Sequence, residues 1–302
     1  MKQPSRYLTN LAARLFPDGP ESRDAFVTTM VEERSQRAPC ILWCDPNRSF
    51  AESGMPELPM PELPWLPDFV HPLPADYHVG NHPWHEDGAF YSLDLSSIIA
   101  AAPLLTIPTG PELVVDMCSA PGGKSVFAQL ALHPKRQIAN EVIGKRLGML
   151  RHNLKRIGFT SIESRQNDPS VLAAELPEGA NVLLVDAPCS GQSLLLKGIE
   201  NPGCWHPSLV TKNAMRQRRI IAESAKLVAP GGHILYTTCT FAPDENEELI
   251  LWLLKKRPDF TAVNVPCLSA LQSSLVSWPA YRLYPGHGLG AGAFACLLKR
   301  EG

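Results

Sequence analysis

The sequence predicts an α/β protein, with a mostly parallel sheet that carries helices on both faces and a small α+β region at its N-terminus. From about residue 88, short apolar runs that end in a polar or acidic residue alternate with segments of helical periodicity, which is typical of such a sheet. The 302 residues are 44% apolar and 19% charged, which is the composition of a globular protein. No run of about 18 apolar residues is present, so the sequence excludes a membrane span and a membrane partner.

The N-terminal region, residues 1–87, predicts helices over 7–16 and 22–37, followed by an apolar run over 40–44. Seven prolines fall between residues 56 and 74, and proline at this density removes amide donors and excludes helix. We interpret this stretch as an extended connector. Its interleaved Leu, Met, Trp and Phe residues favour a strap packed on a core over a ligand for a partner module. We place a domain boundary between residues 87 and 88.

The C-terminal region, residues 88–302, contains the alternating elements. Apolar runs predict strands over 113–116, 137–141, 162–168, 182–186 and 234–239, and the intervening segments predict helices over 123–132, 143–157, 209–228 and 243–257. Acidic residues in the first turns of the last helix complement its dipole. Ligands of an open parallel sheet bind outside the carboxyl ends of the strands, so the residues at those ends are the candidates for function.

Acidic side chains end the first three predicted strands. Asp116 begins the turn DMCSAPGGKS, whose two glycines let the backbone approach a ligand closely, although the turn is neither a GxGxxG nor a GxxxxGK[ST] motif. Glu141 can accept two ribose hydroxyls and Asp168 can accept an adenine amino group. Each acid alone fits a solvated strand end or a helix cap equally well. Together they favour an adenosine site.

The fourth and fifth predicted strands bring cysteines to the same edge. Asp186 and Cys189 follow the fourth strand and Cys239 follows the fifth. A thiol is nucleophilic as its thiolate, so this pair predicts covalent chemistry. We interpret the remaining cysteines as packing residues, with packing also favoured for Cys118. The eight cysteines form no CxxC pair and no zinc spacing, so we expect free thiols, a reducing compartment and no metal.

Charge is distributed unevenly along the chain, although the net charge is only −2. Residues 1–123 hold 7 Lys and Arg against 16 Asp and Glu, whereas residues 124–302 hold 21 against 14. A basic run alone usually marks a solvated face. Because this run lies in the basic half of the chain beside the predicted site, we predict that one cluster contacts the phosphates of a nucleic acid: Lys212, Arg216, Arg218 and Arg219.

Five segments, in order, resemble the motifs of the Nop/Sun family of RNA cytosine-5 methyltransferases: DMCSAPGGKS, NEVIGKRLGMLRHNLKRIG, DAPCSG, TTCTFAPDENEE and GAFACLLKR. The resemblance covers roughly residues 88–302. It implies a Rossmann-like class I methyltransferase fold with a seven-stranded sheet. It also implies S-adenosylmethionine as methyl donor and a cytosine of RNA as acceptor, with ribosomal RNA favoured over transfer RNA.

The resemblance also implies roles for individual residues. Glu141 holds the ribose, Asp168 holds the adenine, and Asp186 lies between the cofactor and the base. Cys239 attacks the base and Cys189 acts in product release. The residues that wrap the methionine part of the cofactor are Cys118, Ser119, Ala120, Pro121, Gly122, Gly123 and Lys124.

Chemistry alone leaves the choice of nucleophile open, because DNA cytosine methyltransferases attack with a Pro-Cys cysteine placed as Cys189 is here. Two other functions remain as alternatives: a non-catalytic RNA-binding or ribosome-assembly factor, and an amino-group methyltransferase. Amino-group methyltransferases carry an aromatic residue where Cys189 stands. A nicotinamide dehydrogenase is disfavoured because this sequence lacks the dinucleotide-binding fingerprint. We expect a cytoplasmic monomer. A basic N-terminus with Lys2, Arg6 and Arg14 leaves a mitochondrial presequence as the alternative.

Overall fold

The computed structural model describes residues 3–32 and 35–302. Its strands form two sheets, and the helices pack around them. The helices are α1 (Arg6–Leu15), α2 (Pro20–Glu32), α3 (Pro83–Glu86), α4 (Leu95–Ala101), α5 (Gly123–Leu132), α6 (Gly144–Arg156), α7 (Pro169–Glu175), α8 (Pro207–Ser224) and α9 (Glu247–Lys256). The strands are β1 (Pro39–Trp43), β2 (Val70–Pro72), β3 (Phe90–Asp94), β4 (Leu113–Asp116), β5 (Arg136–Asn140), β6 (Glu163–Arg165), β7 (Ala180–Asp186), β8 (Val228–Thr238), β9 (Phe260–Ala262), β10 (Tyr281–Leu283) and β11 (Ala293–Arg300).

The larger sheet has the strand order β10-β11-β8-β7-β4-β5-β6, and the short strand β9 also pairs with β11. The five strands from β8 to β6 are parallel to one another. β9 and β10 pair antiparallel with β11, which itself pairs antiparallel with β8. The predicted mostly parallel α/β sheet is therefore confirmed.

Two predicted elements of the C-terminal region end clearly earlier than expected. The third strand was expected over 162–168, but β6 ends at Arg165, because the amide of Asn167 donates to the Asn140 side chain and Asp168 caps α7. The long helix was expected to reach residue 228. α8 ends at Ser224, and residue 228 already begins the edge pairing of β8 with β7.

The smaller sheet has the order β2-β1-β3, and both outer strands run antiparallel to β1. β3 pairs with the whole length of β1, from Pro39–Asp94 to Trp43–Phe90. This third strand lies on the C-terminal side of the boundary placed between residues 87 and 88, and that boundary stays a prediction. The predicted helix over 22–37 ends at Glu32 within the described part, residues 35–37 are not helical, and residues 33–34 lie outside it.

The proline-rich connector over 56–74 is described throughout and forms no helix. It contains β2, which the proline content concealed. The side chains of Met60, Leu63 and Phe69 pack on the main core. The connector is therefore a strap over the core, as the apolar residues indicated.

Alternate side chains of the central strands enter two apolar layers. Val114 and Val182 face the layer formed with α4, α5 and α6, whereas Val115 and Leu183 face the layer formed with α7, α8 and α9. Helices α1 and α2 pack instead around Phe241, just beyond the carboxyl end of β8. Over residues 3–32 and 35–302, no helix has both the length and the apolar content that crossing a membrane requires.

Candidate active site

The two cysteines predicted to act together lie at the ends of adjacent parallel strands. Asp186 of β7 is in register with Thr237 of β8, so the loops that leave these strands start side by side. Cys189 follows β7, Cys239 follows β8, and their sulfur atoms are 3.3 Å apart. All eight cysteines are free.

The surroundings of the two thiols differ in charge. The hydrogen bond from Cys189 lowers the pKa of the Cys239 thiol, and the positive charges of Lys197 and Lys124 act in the same direction against burial and Asp186. The same contact, burial and the negative charge of Glu245 hold the pKa of Cys189 well above its usual range. The structure therefore favours Cys239 as the thiolate and Cys189 as the thiol that donates to it.

An ion pair lies beside the thiols. Asp186 Oδ2 is 2.8 Å from Lys124 Nζ, and its Oδ1 accepts a hydrogen bond of 2.8 Å from the Thr237 hydroxyl. Burial opposes the charge of Lys124, but the contact with Asp186 outweighs it and raises the pKa of Lys124. Lys124 therefore stays charged, and the carboxyl group of Asp186 is fixed at the rim by its contacts with Lys124 and Thr237.

The glycine turn begins α5 at the end of β4. Gly122 has a φ of +118°, a backbone angle that residues with a side chain rarely adopt. A Cβ atom on Gly123 would overlap the side chain of Leu93. Below the turn, the Ser125 hydroxyl donates to Asp116 Oδ2 at 2.6 Å. Asp116 Oδ1 is buried with no hydrogen-bond partner among the described residues, and burial raises the pKa of this carboxyl to about 7. The turn thus lies over an acid that has one oxygen without a donor.

Glu141 follows β5 and is almost fully buried. Its Oε1 accepts from the Ile143 amide at 3.0 Å, and its Oε2 lies 3.1 Å from Arg146 Nη1. That second oxygen makes no hydrogen bond within the described part of the chain. Arg146 Nη2 also donates to the Ala120 carbonyl at 2.5 Å, so the Arg146 side chain links Glu141 to the glycine turn.

Asp168, predicted to bind adenine, lies at the N-terminus of α7 and is bonded to a predicted RNA-binding residue. Its Oδ1 accepts from the amide and hydroxyl of Ser170, and its Oδ2 accepts from Arg219 Nη2 at 2.7 Å. The bond from Arg219 is the main cause that lowers the pKa of Asp168. The two side chains therefore satisfy each other in this structure.

The predicted basic cluster divides between two sides of α8. Lys212, Arg216 and Arg219 are exposed at helical spacing, and Met215 beside them is 65% exposed. Arg218 points elsewhere, with its guanidinium 5.7 Å from the centre of the Trp252 ring on α9. Only three of the four cations share one surface.

Several residues that hold the thiol loops were absent from the sequence-based prediction. Ser193 donates to the Cys239 carbonyl through its amide at 3.2 Å and its hydroxyl at 2.9 Å. The Phe241 amide donates to Gln192 Oε1 at 2.9 Å, and Lys197 Nζ is 3.3 Å from Asp94 Oδ1. The only sequence signal for Gln192 and Ser193 is that they directly follow the DAPCSG motif.

Two acids expected to complement the dipole of the last helix are buried, namely Glu245 and Glu247. Glu247 lies in the first turn of α9, as expected. Glu245 lies in a 3₁₀ turn before α9 and accepts from the Ser190 amide and Gln217. Glu247 pairs with Arg282. Within the described residues, no group of three or more His, Cys, Asp or Glu side chains could hold a metal ion.

Comparison with known proteins identifies relatives of this chain. The family model described as 16S rRNA methyltransferase RsmB/F matches residues 104–299. Ribosomal RNA small subunit methyltransferase F of Cronobacter sakazakii is 34% identical over 217 residues, which cover 69% of this chain and 44% of that protein. The protein of the same name from Escherichia coli K12 is 32% identical over 182 residues, 60% and 38% of the two chains. The chain thus spans less than half the length of these relatives.

Two solved structures share the fold. NSun6 from Pyrococcus horikoshii, determined with SFG, superposes with a TM-score of 0.78 at 20% identity and 98% coverage of both chains. A methyltransferase homolog protein from the same organism gives 0.77 at 22% identity, over 98% of this chain and 95% of the other. Because the family model covers more than half of the sequence, the chain belongs to the RsmB/F family of 16S rRNA methyltransferases.

Proposed function

We propose that the protein transfers a methyl group from S-adenosylmethionine to carbon 5 of a cytosine in small-subunit ribosomal RNA. The observation that carries this proposal is the pair of thiols, 3.3 Å apart, beside the Asp186–Lys124 ion pair. Cytosine carbon 5 is a poor nucleophile, and a thiolate added at carbon 6 activates it. The names of the relatives support ribosomal RNA as substrate and the cytoplasm of a bacterium as location.

The strand ends fit the cofactor. Asp116 Oδ1 and Glu141 Oε2 are buried acceptors without a hydrogen bond in the described chain, although Arg146 lies 3.1 Å from the latter oxygen. They flank a turn whose backbone conformation and close packing favour glycine at positions 122 and 123. An ammonium group and ribose hydroxyls supply the donors that such acceptors need. Residues 118–124 would hold the methionine part, Glu141 the ribose and Asp168 the adenine. When bound, S-adenosylmethionine supplies an electrophilic methyl group.

Methylation begins at Cys239. Its thiolate adds to carbon 6, and the π-electron pair of the carbon 5–carbon 6 bond makes carbon 5 nucleophilic. Asp186, fixed by Lys124 and Thr237, hydrogen-bonds the ring nitrogen or amino edge of the base and stabilises the adduct. Carbon 5 would then bond to the methyl group while the bond between that methyl group and the donor sulfur breaks, which leaves S-adenosylhomocysteine.

Release reverses the addition. A base removes the carbon 5 proton, the electrons of that carbon–hydrogen bond restore the double bond, and the sulfur–carbon bond breaks to return the Cys239 thiolate. Cys189 acts in this step, because its sulfur lies against the leaving sulfur and its thiol donates to it. The thiol stabilises the charge that returns to Cys239.

RNA binding falls to the exposed face of α8 with Lys212, Arg216 and Arg219. The Arg218 guanidinium lies over the Trp252 ring instead, so we do not expect it to contact phosphate. A cytosine inside a stem must be unstacked to reach both the thiol and the methyl group, so loops or remodelled RNA are the expected targets. The monomeric state remains a prediction.

Methyl transfer to 16S rRNA tests the proposal. The protein is incubated with methyl-labelled S-adenosylmethionine and 16S rRNA, which is then digested to nucleosides and separated. We expect label in 5-methylcytidine, retained by Cys267→Ser, a change outside the site, and lost in Cys239→Ser. Label in N4-methylcytidine would indicate an amino-group enzyme. RNA binding without label would indicate a non-catalytic factor.

A further inference from the structure

A buried carboxylate underlies the Cys189 loop. Glu245 is fully buried, and its Oε2 accepts from the Ser190 amide at 2.9 Å and from Gln217 Nε2 at 2.8 Å. Ser190 follows Cys189 directly in the chain. The carboxylate therefore fixes the backbone on one side of this cysteine.

The same unit fixes the other side. Gln217 Nε2 also donates to the Pro188 carbonyl at 3.0 Å, and Pro188 directly precedes Cys189. The Ser190 hydroxyl is 2.6 Å from the hydroxyl of Thr240, which follows Cys239. Glu245 and Gln217 thus hold the loop on both sides of Cys189 in register with the loop of Cys239.

The burial of Glu245 lowers the stability of the folded protein. Among the described residues, the Glu245 carboxylate accepts hydrogen bonds only from the neutral Ser190 and Gln217, and its Oε1 lacks a hydrogen-bond partner. Burial raises the pKa of this carboxyl, although the bonds from Ser190 and Gln217 oppose the effect. A buried acceptor left unpaired costs stability, so packing does not explain its presence.

We propose that Glu245 is a positioning residue for product release, which holds Cys189 against the sulfur of Cys239 through the Ser190 amide. This inference rests on the proposed function, because it assigns release to Cys189. Glu245 touches neither thiol by a hydrogen bond in the described structure and acts through the loop. Its loss therefore leaves carbon 6 addition and methyl transfer intact and slows the breaking of the sulfur–carbon bond.

The test compares variants in one assay. Enzyme, labelled S-adenosylmethionine and 16S rRNA are mixed for a single turnover, and methylated RNA and the denaturation-resistant RNA–protein adduct are followed over time. For Glu245→Ala we expect first-turnover methylation as in the wild type, with adduct release slowed by about 10-fold or more. Glu245→Gln keeps an acceptor oxygen for the Ser190 amide, so it should restore release. Glu248→Gln, a change in a nearby exposed residue at the start of α9, serves as the control.

The outcomes separate the two proposals. If Cys189→Ala traps the adduct but Glu245→Ala releases it at the wild-type rate, the positioning role is wrong and the proposed function stands. If Cys189→Ala traps no adduct, the assignment of release to Cys189 fails first. If Glu245→Ala is unfolded and shows no first turnover, Gln217→Ala decides, because it removes the bond to the Pro188 carbonyl. Slow release then supports the proposal, and wild-type release overturns it.

Discussion

Removing the charge of Arg219 should strengthen cofactor binding and weaken RNA binding. Asp168 is the expected acceptor for the adenine amino group, yet its Oδ2 accepts from Arg219 at 2.7 Å. That bond must break before the carboxylate turns to adenine, and its loss frees the guanidinium for a phosphate. Cofactor and RNA are therefore expected to favour each other's binding.

The size of the effect follows from exposure. The side chains of Arg219 and Asp168 are 60% and 38% exposed, so water and salt screen the pair. Exposed ion pairs of this kind contribute about 0.2–1 kcal/mol. Arg219→Gln should therefore tighten cofactor binding by about 1.4- to 5-fold.

Calorimetry measures this directly, with S-adenosylmethionine titrated into the wild type, Arg219→Gln and the matched control Lys212→Gln. Lys212 lies on the same face of α8, but the Asp168 side chain is bonded to Arg219 and Ser170 and not to Lys212, so the loss of Lys212 should leave cofactor affinity unchanged. Both variants should lower the slope of RNA affinity against salt by roughly one unit. Unchanged or weaker cofactor binding in Arg219→Gln would refute the competition for Asp168.

Three further predictions concern other groups. Arg216→Gln should reduce the salt slope of RNA binding by roughly one unit, whereas Arg218→Gln should not, because its guanidinium packs on α9; equal slopes would contradict the division of this helix. Cys189→Ala should raise the pH midpoint of Cys239 alkylation by iodoacetamide, because the hydrogen bond from Cys189 is the main cause of the lowered pKa; a constant or lower midpoint would contradict it. Arg282→Met should destabilise the protein by about 3–5 kcal/mol in urea unfolding, since it strands a buried carboxylate; a change under 1 kcal/mol would show that the carboxylate finds another partner.

The sequence was sufficient for the parts of the site that depend on strand ends. Parallel strands place their carboxyl ends at one edge, so Asp186, Cys189 and Cys239 were expected to meet, and the structure brings them together. The glycine turn could be predicted because its structure requires glycine: Gly122 has a positive φ, and Leu93 packs against Gly123 too closely for a side chain there. Both inferences use local rules that hold wherever the sheet forms.

The parts that escaped prediction depend on contacts between distant segments. Asp168 and Arg219 are 51 residues apart, and nothing in either segment indicates that they pair. Glu245 looks like a solvated helix-start residue until the Ser190 loop covers it. The different orientation of Arg218 could have been predicted. Lys212, Arg216 and Arg219 follow the spacing of one helix face, and position 218 does not.

The most direct test of the account is the covalent complex formed by the two cysteine variants. Cys239→Ala and Cys189→Ala are each incubated with S-adenosylmethionine and 16S rRNA, and RNA–protein complexes are resolved on a denaturing gel. We expect no methylation and no complex with Cys239→Ala, because carbon 5 is never activated. Cys189→Ala should methylate once and remain attached to the RNA, giving a band that survives denaturation. A stable complex with Cys239→Ala and none with Cys189→Ala would show that the two thiols have the opposite roles.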